Sequence, residues 1–338
     1  MSGFTITAGV SFSGGFTFTE APVENTAAWF GGGYLGFSYV TYNYVYTSIV
    51  DRITYATDTA TALARGSFNS TKSSLGATGN TTDGWFVGNQ GAVSPSTRVE
   101  RITWSNDTAT ASIRGPLANA NNGMGAAGNT TDGWFGGGYG PSPGYNGTSV
   151  NRITYATDTD TASVRGPLSA GRSALTAAGN TTDGWFSGGG SYRLGTSGGP
   201  FYYSIVERIT YATDTAIATV RGPLSAGRYN LAAAGNLTDG WLGGGYVRLT
   251  DFEPTVISIV NRITYATDTA TASVRGPLTS TRGSLAASGN STDAWFGGGV
   301  GMVSTVDRIT FATDTNTSSV RGPLSVARRS LAAAGGIQ

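Results

Sequence analysis

The chain has 338 residues, with 21 Lys and Arg against 20 Asp and Glu, and no His or Cys. This excludes imidazole and thiolate chemistry, disulfides and nearly every transition-metal site, so neither a metal nor a cofactor is expected. The balanced charge offers no basic field for nucleic acid, and catalysis would be left to carboxylate, hydroxyl, Tyr, Arg or the single lysine, Lys72.

Residues 1–25 stand apart from the rest of the chain. FTITAGVSFSGGFTFTE alternates apolar and polar residues around Ser13-Gly14-Gly15, which predicts a β-hairpin or an extended arm. Such an arm either packs on the adjoining domain or anchors it to another chain by strand addition. The opening MSGFTITAGVSFSGG has no basic region followed by an apolar run, so no conventional signal peptide is expected. No apolar run approaches the length of a bilayer span.

From residue 26 onward the sequence repeats. Arg-Ile-Thr-aromatic returns at Arg52, Arg101, Arg152, Arg208, Arg262 and Arg308. A period near fifty residues is that of a propeller or solenoid unit. Each unit offers four strand-like segments, lettered A to D: RSALTAAGN (172–180), TTDGWFSGGG (181–190), SIVERITYA (204–212) and TASVRGPLS (161–169). Asp-Gly between A and B predicts a tight hairpin turn with positive φ at both residues. It occurs at Asp83-Gly84, Asp132-Gly133, Asp183-Gly184 and Asp239-Gly240, with Asp293-Ala294 in the last unit. Segment A is rich in Ala, as an innermost strand beside a crowded axis should be, and antiparallel A-B-C-D sheets of this size are propeller blades.

The ends predict closure. The first unit starts at B (Ala27 to Phe30), and the chain finishes with an orphan A, Arg329 to Gly336. Together they make one blade, giving six in all, whereas a linear solenoid would need caps at both ends. The expected fold is therefore all-β, a six-bladed propeller over residues 26–338 closed by its own C-terminal strand, with a β arm at 1–25.

GGG, a variable gap, RITYATDTAT and then RGPLSAGRSALAAAGN resemble the kelch repeat: a run ending in Gly-Gly, a Tyr-Asp-like turn, a Pro-containing loop, then Arg. The resemblance covers residues 27–338. It departs from the kelch pattern in carrying its Trp on segment B, in Gly88-Asn89 for Gly-Gly, in Gly66-Ser67-Phe68 for Gly-Pro-Leu, and in Lys72 and Asn121 for the loop Arg. Repeats of the RITYATDTxTASVRGPLS type are also similar to structural proteins of bacteriophages, cyanophages especially. That resemblance implies a virion-surface or tail-associated role. Kelch-type copper oxidases need His and Cys ligands, which are missing here.

The copies diverge most between B and C. These loops hold Tyr39, Tyr42, Tyr44 and Tyr46 in the first unit and Tyr145 in the third. The fourth holds Tyr192, Arg193, Tyr202 and Tyr203, and the fifth Tyr246, Arg248 and Phe252. In an up-down meander all B-C and D-A loops leave one face. Tyr gives large contact area at low entropy cost, and binding residues concentrate on loops held by a rigid scaffold. This face is the expected binding surface; the plainer reading is that the loops only extend strands B and C. Trp29, Trp85, Trp134, Trp185, Trp241 and Trp295 present a second choice, either inter-blade core or sugar-stacking sites. The repeated Arg and Asp read as ties between blades. Asn-x-Ser/Thr at Asn80, Asn129, Asn180, Asn236 and Asn290 reads as turn chemistry or as glycan acceptors. The Gly-Gly-Gly runs lack the Lys-Ser/Thr of a phosphate loop, and no unique carboxylate pair suggests a glycosidase.

The reading that results is a non-enzymatic structural and binding protein of a virion or other extracellular surface structure. The arm would join other structural proteins, and the B-C loops would touch a host-surface glycan or protein, with no nucleic acid and no membrane insertion. The alternative is a propeller lectin with inter-blade sugar sites.

Overall fold

The computed structural model describes residues 25–90, 95–140, 146–191, 201–248 and 254–335. Its body is six four-stranded antiparallel sheets. Blade 4 is typical: strands Thr176–Gly179, Asp183–Ser187, Val206–Thr210 and Thr219–Val220 occupy positions A to D. Blade 1 is built from both ends of the chain. Ala332–Ala334 pairs with Ala27–Gly31, Trp29 opposite Ala334, and Ala27–Gly31 then pairs with Val50–Thr54. The expected six-bladed propeller closed by its C-terminal strand is what forms. The expected arm lies outside the described residues except for Asn25, whose Nδ2 donates to the carbonyl of Asn80 at 3.0 Å.

Each segment is shorter than its pattern suggested, for a physical reason. Segment D forms only Ser163–Arg165 in blade 3, because Gly166-Pro167 leaves the sheet edge for the next blade. There Gly166 N–H donates to the Asp214 carbonyl at 2.8 Å, and Ala218 N–H donates to the Pro167 carbonyl at 2.9 Å. Segment C ends in a 3-10 turn, Tyr211–Thr213 in blade 4.

The expected Asp-Gly turn is not the turn. Asp183 and Gly184 open strand B, paired with Thr210 and Ile209, and Gly184 is not among the residues with positive φ. The turn is made by Asn180, whose Oδ1 accepts the N–H groups of Thr182 and Asp183 at 3.0 and 2.9 Å. Glycine is wanted at 184 for closeness instead: a Cβ there would sit 3.0 Å from both the Ala127 Cβ and the Tyr211 hydroxyl.

Strand B alternates across the blade. Its Trp faces the next blade and the following residue, Phe in five blades and Leu242 in blade 5, faces the previous one, and one such core fills each gap. Trp185 stacks on Tyr265 of blade 5 with ring centroids 3.8 Å apart and 6° between planes. Its Nε1 donates to Asp268 Oδ2 at 2.9 Å. Arg208 and Arg221 of blade 4 approach the same oxygen, each at 3.3 Å. The arrangement repeats with Trp29 on Asp107, Trp85 on Asp158, Trp134 on Asp214 and Trp241 on Asp314. Trp295 of blade 6 donates to Asp58 of blade 1 at 2.8 Å, which completes the circle.

This interlock sets two measurable expectations. Replacing the carboxylate in Asp158→Asn leaves Arg114 without its charge partner and Arg101 with Asp83 alone, in a largely buried seam. The expected loss is about 2 kcal/mol, read from the urea midpoint at neutral pH. Burial also pushes the phenols of Tyr155, Tyr211 and Tyr265 well above their ordinary value of 10. These groups ionise near pH 10 only in the unfolded chain, so the stabilisation they contribute is complete below that pH and is lost above it. Each removes about 1.4 kcal/mol per pH unit, and urea midpoints taken from pH 8 to pH 11 should fall steeply past 10.

Candidate functional site

The B-C and D-A connections leave one face of the disk, the loop face; the A-B and C-D turns leave the other. At the centre of the loop face, one residue per blade adopts the left-handed conformation near the start of strand A: Ser74, Gly123, Ala174, Asn230, Ser284 and Ser330, with φ between 52° and 62°. For the five that are not glycine this costs roughly 1–2 kcal/mol each. Each N–H donates to the carbonyl of its counterpart in the preceding blade at 2.7–2.9 Å, and Ser74 donates to Ser330. Six backbone hydrogen bonds thus close a ring around the axis. A shallow cavity of about 140 Å³ lies over it, and an axial channel of about 170 Å³ lined by the A strands runs beneath.

Two residues before the ring, a long polar side chain is buried under each loop root. Arg328 Nη1 meets Asp51 Oδ2 at 2.8 Å, Arg282 Nη2 meets Asp307 Oδ2 at 2.5 Å, Lys72 Nζ meets Glu100 Oε1 at 3.3 Å, and Arg172 pairs with Glu207. Burial lowers the pKa of Lys72 and of these three arginines, and their carboxylates oppose that shift. The guanidinium groups also bond to strand-B carbonyls, Arg328 to Phe30 at 3.0 Å and Arg172 to Phe186 at 3.2 Å. Each loop therefore starts from a pinned root. Blade 3 replaces the pair with Asn121, whose Nδ2 donates to the Gly137 carbonyl at 3.1 Å and to Ser149 Oγ at 3.0 Å.

Blade 5 keeps the cation without the carboxylate. Arg228 donates to Asn261 Oδ1 at 2.8 Å and to the carbonyls of Ile259, Gly244 and Leu242 at 2.9, 3.0 and 3.4 Å. Burial draws its pKa from 12.5 down to about 10.

Beyond the roots the loops of blades 1, 4 and 5 rise as separate two-stranded hairpins, whereas in blade 2 strand B itself runs on to Gln90. Blade 1 carries Tyr34–Ser38 against Asn43–Tyr46, blade 4 Gly190–Ser191 against Phe201–Tyr202, and blade 5 Tyr246–Arg248 against Pro254–Val256. Blade 6 has only the short strandless link 298–305. In the first hairpin five rings run in sequence. Tyr46 to Tyr34 and Tyr34 to Tyr44 are both 5.8 Å between centroids, Tyr44 to Phe37 5.5 Å, and Phe37 to Tyr39 5.3 Å. Tyr39, Tyr42 and Tyr44 are 80%, 77% and 64% exposed. Tyr42 sits in the left-handed region at φ 52°, and the tip is tied by Thr41 N–H to Ser38 Oγ and by Asn43 Nδ2 to the Thr41 carbonyl.

A second aromatic run joins blades 4 and 5. Tyr202 lies 4.5 Å from Tyr229, and Tyr229 stacks on Tyr246 at 5.0 Å. The loop pattern in the sequence does not single out Tyr229; its one signal is its departure from Ser173, Gly283 and Arg329 at the same repeat position. Tyr203 turns away, its hydroxyl 2.9 Å from Ser191 Oγ. Tyr46 is half-buried, and Arg248 is exposed at the hairpin. Tyr145, Tyr192, Arg193 and Phe252 lie outside the described residues.

The sugar-stacking alternative on the six Trp does not fit. None of the six is more than 4% exposed, each is stacked on an aromatic ring of the next blade, and each indole N–H is taken by an aspartate. They are inter-blade core. The Asn of the Asn-x-Ser/Thr turns is likewise engaged: Asn180 Oδ1 holds its own turn, and its Nδ2 donates to the Leu237 carbonyl of the next blade at 3.4 Å.

The class defined is an all-β, six-bladed propeller with a ringed axis and an aromatic loop face. No protein-family model and no curated protein matches the chain. Among solved structures it is similar to the propeller "Structure of YjhT", with a TM-score of 0.63 and 10% identity, over 78% of this chain and 87% of that one. The likeness is one of fold.

Asn261→Asp should restore to blade 5 the ion pair of its neighbours. The expected outcome is a gain of about 1 kcal/mol in urea unfolding, since a hydrogen bond to a charged acceptor replaces a neutral one.

Proposed function

We propose that this is a non-enzymatic binding and structural protein, a kelch-like propeller carried on a virion surface or tail, with the loop face as its contact surface. The observation that supports the reading best is the blade 1 hairpin. It presents Tyr39, Tyr42 and Tyr44 to solvent from a tied turn on a pinned root. Monomeric surfaces seldom keep such a contiguous apolar patch without a use for it. Opposed placement supports the anchor. Asn25 lies on the turn face beside Asn80, so the chain enters the propeller on the side away from the hairpins. The virion setting rests on the resemblance of the repeats to phage structural proteins.

The test uses the labelled full chain and a Tyr39→Ala, Tyr42→Ala, Tyr44→Ala variant, applied to a panel of bacterial envelope preparations. Binding should fall at least about tenfold in the variant with an unchanged thermal midpoint, because exposed rings contribute to contact and not to the core. Equal binding by the two proteins would overturn the loop-face reading.

A further inference from the structure

We infer that the loop face holds one extended, uncharged polysaccharide chain. It would run from the aromatic hairpin of blade 1 to the tyrosines of blades 4 and 5, across the low link of blade 6. The inference rests on the reading of the loop face as the contact surface and names what that surface takes.

Three observations carry it. First, the two aromatic runs are separate and lie on either side of a gap. Tyr34, Phe37, Tyr39 and Tyr44 belong to blade 1, and Tyr202, Tyr229 and Tyr246 to blades 4 and 5. Blade 6 lies between blades 5 and 1 in the ring, and it raises no hairpin. A ligand touching both runs must be long. Second, the sector has no net charge. In sequence the B-C loops of blades 4, 5, 6 and 1 carry Arg193 and Arg248 against Asp251 and Glu253, and among the described residues of those loops Arg248 is the one charge. Arg329, from the neighbouring D-A loop, is spent over the Tyr34 ring at 4.8 Å. With two cations balanced by two acids, an anionic polymer or a charged protein surface would find no net complementary field here, and a nucleic acid would need a row of cations. Third, the chemistry offered is phenol rings with hydroxyls. An aromatic face carries negative potential that suits the C–H faces of a sugar ring, and a phenol both donates and accepts for sugar hydroxyls. The rings stand on hairpins rather than around a deep pocket, which suits a polymer laid along them.

Two sites on one chain make length matter. A polysaccharide that reaches both runs gains effective concentration at the second, whereas a short oligosaccharide engages one at a time. The test uses neutral and acidic polysaccharide fractions from the same bacterial envelopes, separated by anion exchange, with the protein fraction of those envelopes as a third arm. Neutral fractions should bind, and the affinity should be unchanged when salt is raised about tenfold. Hexasaccharides cut from the bound polymer should bind at least about tenfold more weakly. The pair Tyr39→Ala, Tyr44→Ala and the pair Tyr229→Ala, Tyr246→Ala should each weaken the polymer at least about tenfold while leaving hexasaccharide binding at the other run. Thermal midpoints identify any variant that has merely unfolded. Binding of the acidic fraction alone, an equal affinity for hexasaccharide, or indifference to either pair overturns the inference. Binding confined to the protein fraction overturns it while leaving the loop-face reading intact. No binding in any arm defeats both.

Discussion

One carboxylate oxygen per blade holds the ring together. Oδ2 of Asp58, and of its counterparts in the other five blades, receives an indole N–H and two arginine side chains from the preceding blade. The first arginine is shared with the Asp that opens its own strand B, as Arg308 Nε is with Asp293 Oδ1 at 3.5 Å, so charge is balanced along each seam where that Asp exists. Blade 1 lacks it, because Ala27 stands opposite Thr54 where other blades place Asp. The stacked aromatic pair beside each clamp excludes water, which strengthens the charge-assisted bonds. This constraint explains why Trp, Arg and Asp return at fixed places while the loops are free to differ.

The loop face depends on a second polar layer. The buried side chain before each left-handed residue links the D-A loop, strand C and the end of strand B of one blade. Where strand C carries an acid, the loop carries a cation; where it carries Asn151 or Asn261, the loop carries Asn121 or Arg228. A lone buried cation is costly, and four oxygens around Arg228 keep it tolerable. The result is a rigid platform on which hairpins of different lengths can be mounted without disturbing the core, the division of labour seen wherever binding loops vary on a fixed scaffold.

Most of the architecture was legible in the sequence, because six copies of one unit average out local ambiguity. Strand B was readable from its aromatic pair, and closure from the orphan Arg329–Gly336. The Asp-Gly dipeptide misled because its hairpin signal is local, whereas Gly184 answers to Ala127 and Tyr211, one of which belongs to another blade. The Trp positions were ambiguous for a similar reason: whether a large ring is core or platform depends on the neighbour it meets. The aromatic loops were found by their failure to repeat. Tyr229 escaped because it lies in a segment that otherwise repeats well, and its partners Tyr202 and Tyr246 come from two different blades.

The closure of blade 1 has a mechanical consequence. Strand Ala27–Gly31 follows Asn25 directly and lies between Ala332–Ala334 and Val50–Thr54. Ladder hydrogen bonds run across the strands, so a tug along the chain from the N-terminal side loads both ladders in shear, all bonds together, instead of peeling them one by one. The same tug draws on Trp29, which is gripped by Asp107 of blade 2. A disk pulled by that segment against its opposite face would pass the force through a strand braced by two ladders and an inter-blade clamp.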